Sequence, residues 1–508
     1  MQNEKDICEV TAEIVPKMTG WPQWLTTYDH LGSHYPLFHE FDQGRFHLDV
    51  ESAIEAIPLD RRIVDPIGVL EILSASYLFS DRTLIKGLKR APWMSKPKND
   101  GSWQRASIPK HGTTYLPVDD IATKLKSALR NEALEYISGS ACVGVLLSGG
   151  LDSRIVAGIL RELQLTSEFN GDVVAITWGL KRSRDCLYAQ QIAGRFGWEW
   201  VHFPVSPTTL EDNIFLAGKL GAEFSPLHLH AMHQVRNLEG INVILAGSYG
   251  DGVGRAEFSG RHVLKLRPTV PVGLNPFGLL LGEVVQQNRA QVFEDAYEYR
   301  KHLDKHKEHQ YREIEQEMHY MRRKMGACMS YISERTPVFQ LFTAPEVFGV
   351  MWQLSPTIRD HRFYLALLNT LPGNIQDIPW ARSGRLLGSD TGPADKGSPQ
   401  NHQYGLWLRH ELRDVVVKLA QNEKVLNFGI LNERNLERIL RIWQNASTVS
   451  TNRLDEAISW LASFAVFVEH YCIRADCSSF SGRQYTVSEI AGPLRAFLYR
   501  TTRDKFRS

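Results

Sequence analysis

ACVGVLLSGGLDSR, residues 141–154, leaves an almost wholly apolar run through two glycines and then meets an acid and a serine. Such an apolar run suits a strand buried on both faces, as in a parallel sheet. Gly149 and Gly150 let the backbone approach a ligand closely and adopt unusual dihedrals. Asp152 and Ser153 then open a helix. Strand, bare turn and helix start, in that order, point to a ligand site at the strand's carboxyl end. The N–H groups of the turn and of the first helical turn have no internal partner, and the helix dipole adds positive charge; both suit phosphate. Asp152 would repel that same anion unless it holds a cation. The residues therefore suggest a site for magnesium with a polyphosphate.

Outward from this stretch the pattern repeats. VDDIATKLKSALRNEAL (118–134) sets Ile121, Leu125, Ala128 and Leu129 on one helical face ahead of the strand. DVVAITW (172–178), EWVHFPV (199–205) and NVILAGS (242–248) read as strands. Helices are expected from about 153 to 163, over RDCLYAQQIAGRFG (184–197), and near 209–220 and 228–238. That alternation predicts an α/β fold with a doubly wound, mostly parallel sheet. From about Leu280 the chain reads as helical, apart from the loop GSDTGPADKGSPQNHQ (388–403). Upstream, GRFHLDV (44–50) alternates like a strand and DPIGVLEILSASYLF (65–79) reads as a helix with Pro66 in its first turn. KPKNDGSWQRASIPKHGTTYLP (96–117) reads as a linker or an exposed hairpin. The expected division is a small α+β domain over 1–95, a linker over 96–117, an α/β domain over 118–390 and a helical extension over 391–508.

The 508 residues carry 58 basic and 57 acidic side chains, so charge gives no reason to expect nucleic acid or an anionic membrane as partner. The basic end, RAFLYRTTRDKFRS (495–508), reads as a solvated tail. Cys8, Cys142, Cys186, Cys328, Cys472 and Cys477 lack the paired spacing of a zinc site and suit a reducing compartment. With no leader-like start and no membrane-length apolar stretch, a cytoplasmic protein is expected. His228, His230 and His233 do not share one helical face, so a polar or partly buried surface is expected there and not a metal site. The mixed-charge run KHLDKHKEHQYREIEQEMHYMRRK (301–324) predicts a solvated helix.

SGGLDS, Ser148 to Ser153, resembles the pyrophosphate loop of the ATP pyrophosphatases, which cleave ATP between its α and β phosphates; it is not the Walker loop. AITWGLKRSRDCLYAQQIAGRFGW (175–198) is similar to the second strand and helix of the asparagine synthetase family. NVILAGSYGDGVG (242–254) resembles that family's second signature, usually S-G-E-G-x-D-E. SERTPVF (333–339) resembles its R-x-P-F segment, and LPGNIQDIPWARSGR (371–385) falls where the family carries a basic residue on pyrophosphate. The resemblance covers about residues 115–390 and implies an adenine nucleotide α-hydrolase-like fold, with ATP and Mg2+ as cofactors. It implies ATP contacts from Leu147, Ser148, Gly149, Gly150, Asp152, Ser153, Trp178, Ala246 and Gly247, with Trp178 meeting adenine mainly through its backbone. By the same resemblance Asp152 and Asp251 hold magnesium and Arg382 grips pyrophosphate, with Arg385 and Lys396 as neighbouring candidates.

The implied activity is an AMP-forming ligase that adenylates a carboxylate and passes it to a nitrogen nucleophile. Its partners would be the carboxylate substrate, a nitrogen donor, and a separate glutaminase or substrate-delivery protein. Three departures qualify the match. The chain starts Met-Gln-Asn, so loss of Met1 exposes Gln2 where glutamine-dependent members have cysteine, and Cys8 lies too far along. GRFHLDVESAIEAI (44–57) and LSASYLFSDRTLIKGLKRAP (73–92) nonetheless resemble the second half of a glutaminase, so residues 1–95 are expected to be a shortened, inactive remnant serving packing. The signature glutamate is replaced by Ser248, a poor base, followed by Tyr249. The pyrophosphate lysine is replaced by Arg382, which keeps the charge. These departures leave open a lasso-peptide or β-lactam-type cyclase, an enzyme amidating sugar acids, and a nucleotide-binding pseudoenzyme.

Overall fold

Two short sheets precede the one that carries the glycine turn. The computed structural model describes residues 37–40, 42–93, 95–97, 103–105, 110–257, 268–303, 307–389, 394–395, 397–446, 451–476 and 487–501. Met1, Gln2, Cys8, Lys396 and Cys477 lie outside them, as does the second half of the basic end, 502–508. Strands β1 (Leu37–His39), β2 (Asp42–His47) and β3 (Leu88–Arg90) form an antiparallel sheet in the order β2-β1-β3. β4 (Ser95–Pro97) and β5 (Trp103–Arg105) pair antiparallel within the stretch read as a linker or hairpin. The helix Pro66–Ala75 starts as expected: Asp65 accepts from the Ile67 N–H and proline takes the first turn.

β6 (Cys142–Leu146), β7 (Asp172–Trp178), β8 (Glu199–Phe203), β9 (Val243–Ala246) and β10 (Val338–Gln340) then form one parallel sheet in the order β10-β9-β6-β7-β8. The register sets Leu146 beside Ile176 on one side and Ala246 on the other. From β6 the chain builds outward through β7 and β8, then returns to lay β9 on the far side of β6. The connections therefore diverge between β6 and β9, the place where a doubly wound sheet opens a crevice. Helices Leu151–Leu165, Arg184–Phe196 and Pro207–Lys219 link the strands, the last two capped by Ser183 and Ser206.

The sheet's core joins Leu125, Leu129, Val145, Ile155, Ile159 and Leu245, all buried. A second core joins Leu37, Ile54 and Leu70 of the N-terminal part to Trp443, Trp460 and Phe464 of the C-terminal helices. The helix Arg453–His470 lies so close on Pro207–Lys219 that a Cβ on Gly218 would sit 2.6 Å from the Ser463 carbonyl oxygen. Cys142, Cys186, Cys328 and Cys472 are free thiols. Among the described residues no helix is long and apolar enough to cross a membrane.

Two expectations fail. Residues 301–324 do not form a solvated helix. Past Glu308–Glu315 the chain underwinds into a π-helical stretch, Gln316–Met325; Glu313 and Glu315 at the end of the first helix, and Glu317, His319, Arg322 and Arg323 in the second, are buried. Burial holds the Glu317 carboxyl well above its usual range, and several of the others are paired from distant parts of the chain. Glu313 pairs with Arg359 and with His111 Nε2 at 2.8 Å; burial pushes its carboxyl up, but Arg359 first and then His111 outweigh it and hold it at about 2. Arg323 meets Glu223, which also binds Arg90, and the Ser80 N–H donates to His319 Nδ1. The partners come from residues distant in sequence, so the local charge pattern could not reveal the burial. Nor is 228–238 one helix. Pro226–His228 is a short 3-10 turn and Met232–Arg236 a short helix, with His230 between them at φ 45°, which interrupts any right-handed helix.

Arg82 is buried among Asp65, Asp295 and Glu71, and carries the charge that allows those acids inside. Arg82→Ala is expected to cost about 3–5 kcal/mol, read as a shift in urea midpoint at constant slope. Glu132 accepts the Glu346 N–H at 2.6 Å; burial nevertheless raises its carboxyl to about 7 from the ordinary 4.5. The folded chain thus keeps a proton that the unfolded chain loses. The stability this group contributes is present below about pH 4.5 and is lost as pH rises through about 7. Glu132→Gln should flatten that part of the profile and be the more stable protein at pH 8, on the order of 1–3 kcal/mol by denaturant titration.

Candidate active site

The site begins with the turn that ends β6. Ser148 and Ser153 lock it: the Ser148 N–H donates to Ser153 Oγ at 3.1 Å, the two hydroxyls lie 3.0 Å apart, and the Gly150 N–H donates to Ser148 Oγ at 3.1 Å. Gly150 caps the helix without a side-chain bond, leaving its first N–H groups to a ligand. Gly149 is needed for space, since a Cβ there would lie 2.8 Å from the Ala381 Cβ and 3.0 Å from the Arg184 carbonyl oxygen. Leu147 belongs to the sheet: its N–H donates to the Ile176 carbonyl, its own carbonyl accepts from Thr177 Oγ1, and its side chain is buried. Any ligand contact from Leu147 is therefore with backbone.

The second motif closes on the first. β9 ends at Ala246, and a Cβ on Gly247 would lie 2.6 Å from the Asp152 carbonyl carbon. A Cβ on Gly250 would lie 2.4 Å from Asp152 Oδ1. Tyr249, at φ 70°, turns the chain into the π-turn Gly250–Gly254, which carries Asp251. Asp251 is raised to about 6, by burial first and then by the charge of Asp152 beside it. Asp152 Oδ1 is buried and takes no hydrogen bond. A pair of facing acids with an orphaned oxygen fits a small divalent cation better than a neutral ligand. Among the described residues no group of three or more His, Cys, Asp or Glu could hold a metal, so this pair would leave positions for phosphate oxygens and water.

Trp178 ends β7, two residues beyond Ile176, the partner of Leu146. Its ring stacks on His230 at 6.2 Å; His230 Nδ1 lies 2.9 Å from the Tyr404 hydroxyl, and His402 stacks on Tyr404 at 4.0 Å. Burial holds His230 well below its ordinary value and lowers His402 to about 4, so this aromatic wall is neutral near pH 7. Arg382 reaches the same edge. The Ala381 N–H donates to the Gly149 carbonyl at 3.1 Å, and the half-exposed Arg382 pairs with Glu257 and lies over the Trp380 ring at 5.1 Å. The structure therefore brings Ser148 to Ser153, Trp178, Ala246, Gly247, Asp251 and Arg382 to one end of the sheet.

Sequence reading missed Arg154, Arg255, Glu257 and Tyr364. Arg154 is fully buried and donates to the Gly149, Ile375, Ile378 and Pro379 carbonyls, tying the 375–379 segment to the glycine turn. Its place straight after SGGLDS was the available signal. Arg255 Nη2 donates to Asp152 Oδ2 at 3.1 Å, and Tyr364 donates to the Gly250 carbonyl at 3.0 Å. Arg255 and Glu257 lie just past the second motif, but nothing in their spacing shows which way they point.

The model of the asparagine synthase family matches residues 124–376 and leaves the N-terminal segment outside. Asparagine synthetase 2 (glutamine-hydrolyzing) of Oryza sativa subsp. japonica is 30% identical over 125 residues, 24% of this chain and 18% of that protein. A Methanocaldococcus jannaschii protein assigned as glutamine-hydrolyzing asparagine synthetase 1 is 24% identical over 133 residues, 25% of this chain and 23% of its own length. The chain thus spans about a fifth of the length of these relatives. Among solved structures, the NMN synthetase of Francisella tularensis overlaps 28% of this chain and 60% of its own, at 15% identity and a TM-score of 0.21. That overlap is too slight to support the fold, which stands on the sheet order above.

The contact between motifs can be tested on glycines alone. Gly250→Ala would push a methyl into the Asp152 carboxylate and is expected to cost about 1–3 kcal/mol by thermal denaturation. Gly194, in the helix Arg184–Phe196, has open space around its Cβ position, so Gly194→Ala should be neutral or stabilise by up to about 1 kcal/mol.

Proposed function

Since residues 124–376 belong to the asparagine synthase family, we propose that this chain is an ATP-dependent, AMP-forming carbon–nitrogen ligase working at the β6–β9 crevice. The observation that carries the proposal is the seating of Gly247 and Gly250 on Asp152, with Asp251 raised to about 6 beside it. A scaffold has no use for two partly repelling acids held by close backbone contact. Asp152 and Asp251 would hold magnesium, which when bound neutralises the polyphosphate. The free N–H groups after Gly150 and the Arg382 guanidinium would stabilise charge that develops on the leaving pyrophosphate. The Trp178 end of β7, with its neutral aromatic wall, would receive the adenine. A carboxylate oxygen of the acceptor would attack the α-phosphorus, and a nitrogen nucleophile would then displace AMP to form an amide.

Ser248 supports an acceptor other than the one the parent family serves, because a serine cannot take a proton from ammonia as a glutamate can. The specialised relatives, cyclases and sugar-acid amidating enzymes, therefore stay within the proposal. Free ammonia, another protein's glutaminase or an amine substrate would supply nitrogen.

Titration calorimetry with magnesium and ATP tests the reading. The wild-type chain should bind ATP in a magnesium-dependent way. Asp152→Asn and Asp251→Asn should each weaken binding at least about tenfold, the scale of one lost charge-assisted contact, with melting temperature little changed. Undiminished affinity in both variants would overturn the assignment. ATP–pyrophosphate exchange with individual carboxylates, L-aspartate first, would then identify the acceptor.

A further inference from the structure

Arg255 is more deeply placed than a surface counterion. It is 3% exposed, in the turn that follows Asp251. Its Nη2 donates to Asp152 at 3.1 Å and its Nη1 lies 3.2 Å from Glu257 Oε2, yet Nε and Nη1 are buried and make no hydrogen bond. The guanidinium lies over the Tyr364 ring at 5.3 Å and the Trp380 ring at 5.6 Å. Rings against its flat surface leave the N–H edge for polar groups. Arg382 shares two of these partners, since it also pairs with Glu257 and lies over Trp380. Two arginines thus stand on one carboxylate and one indole, the inner one touching the aspartate that follows the glycine turn.

A buried N–H without a partner costs stability, and Arg255 carries two of them beside the glycine turn. An arginine that must also meet an arriving anion keeps donors in reserve. We propose that Arg255 binds the β and γ phosphates of the nucleotide together with Arg382, as the buried half of a two-arginine clamp held by Glu257 and Trp380. This rests on the nucleotide reading above and adds a residue that the family resemblance does not supply. The clamp leaves Asp152 paired before nucleotide arrives, so that acid is not left with a bare charge inside the fold.

The test uses the full chain, titrated by calorimetry with inorganic pyrophosphate and separately with AMP, both without magnesium so that Asp152 and Asp251 take no metal-linked part. Arg255→Met keeps the bulk and removes the charge; Arg255→Lys keeps the charge and removes the fork. Pyrophosphate should bind about tenfold or more weakly to Arg255→Met and by an intermediate amount to Arg255→Lys, while AMP affinity stays within about twofold. Retained AMP binding shows the fold and the adenine end intact; if Arg255→Met does not fold, the Arg255→Lys comparison stands alone. Equal pyrophosphate affinity in wild type and variants, or parallel loss of pyrophosphate and AMP, overturns the clamp and leaves the ligase reading standing. Wild-type protein that binds neither pyrophosphate, AMP nor magnesium–ATP overturns the ligase reading itself.

Discussion

Two stretches of backbone without side chains press on one aspartate. Gly247 lies on the main chain of Asp152 and Gly250 on its carboxylate, at separations no Cβ could tolerate. Much of the candidate site follows from that contact. It requires β9 to lie directly beside β6, as the register has it, and it requires the connection to cross over after β8. It also sets Asp251 near enough to Asp152 for each charge to disfavour the other. A glycine in a sequence motif often signals an unusual dihedral. Here Gly247 and Gly250 are not among the residues of positive φ, and what they supply is proximity.

The parts of this arrangement that a sequence can express were legible. β6, β7 and β8 are short apolar runs between turn residues, and their order along the chain implies parallel pairing. The helix starts at Asp65, Ser183 and Ser206 carry their signal within three residues. Motif glycines and acids could be placed on strand ends because those strands were visible first. The roles that the asparagine synthetase resemblance assigns to Asp152, Asp251, Trp178 and Arg382 rest on that resemblance; the coordinates supply their common location.

What escaped was burial achieved through distant partners. Glu313 and Arg323 sit in a run that looks like any solvated amphipathic helix. It is the opposing Arg359, His111, Glu223 and Arg90, each far off in sequence, that bring it inside. No local periodicity encodes such pairing, and the underwinding of Gln316–Met325 breaks the 3.6-residue pattern on which helical reading depends. Arg255 was hidden for a related reason. Its chain position was plain, but its direction depends on a π-turn that ordinary helix and loop rules do not anticipate.

The same buried stretch ties the two ends of the molecule to its centre. Arg322 donates to the Ala91 carbonyl, Arg323 to the Ser80 and Arg82 carbonyls, and Lys324 to Glu456, while Glu317 Oε1 would lie 2.9 Å from a Cβ on Gly252, beside Asp251. The antiparallel sheet and the long C-terminal helix are therefore stitched to one π-helical segment that also backs the crevice. An engineer wishing to trim the chain to the family-matched region would unmask Arg322, Arg323 and Lys324 at once, and would strip Asp295 of Arg82, Glu223 of Arg90 and Glu313 of His111. Grafting this α/β core onto another protein would require carrying its flanks along, so the natural unit of exchange is larger than the span that sequence likeness marks out.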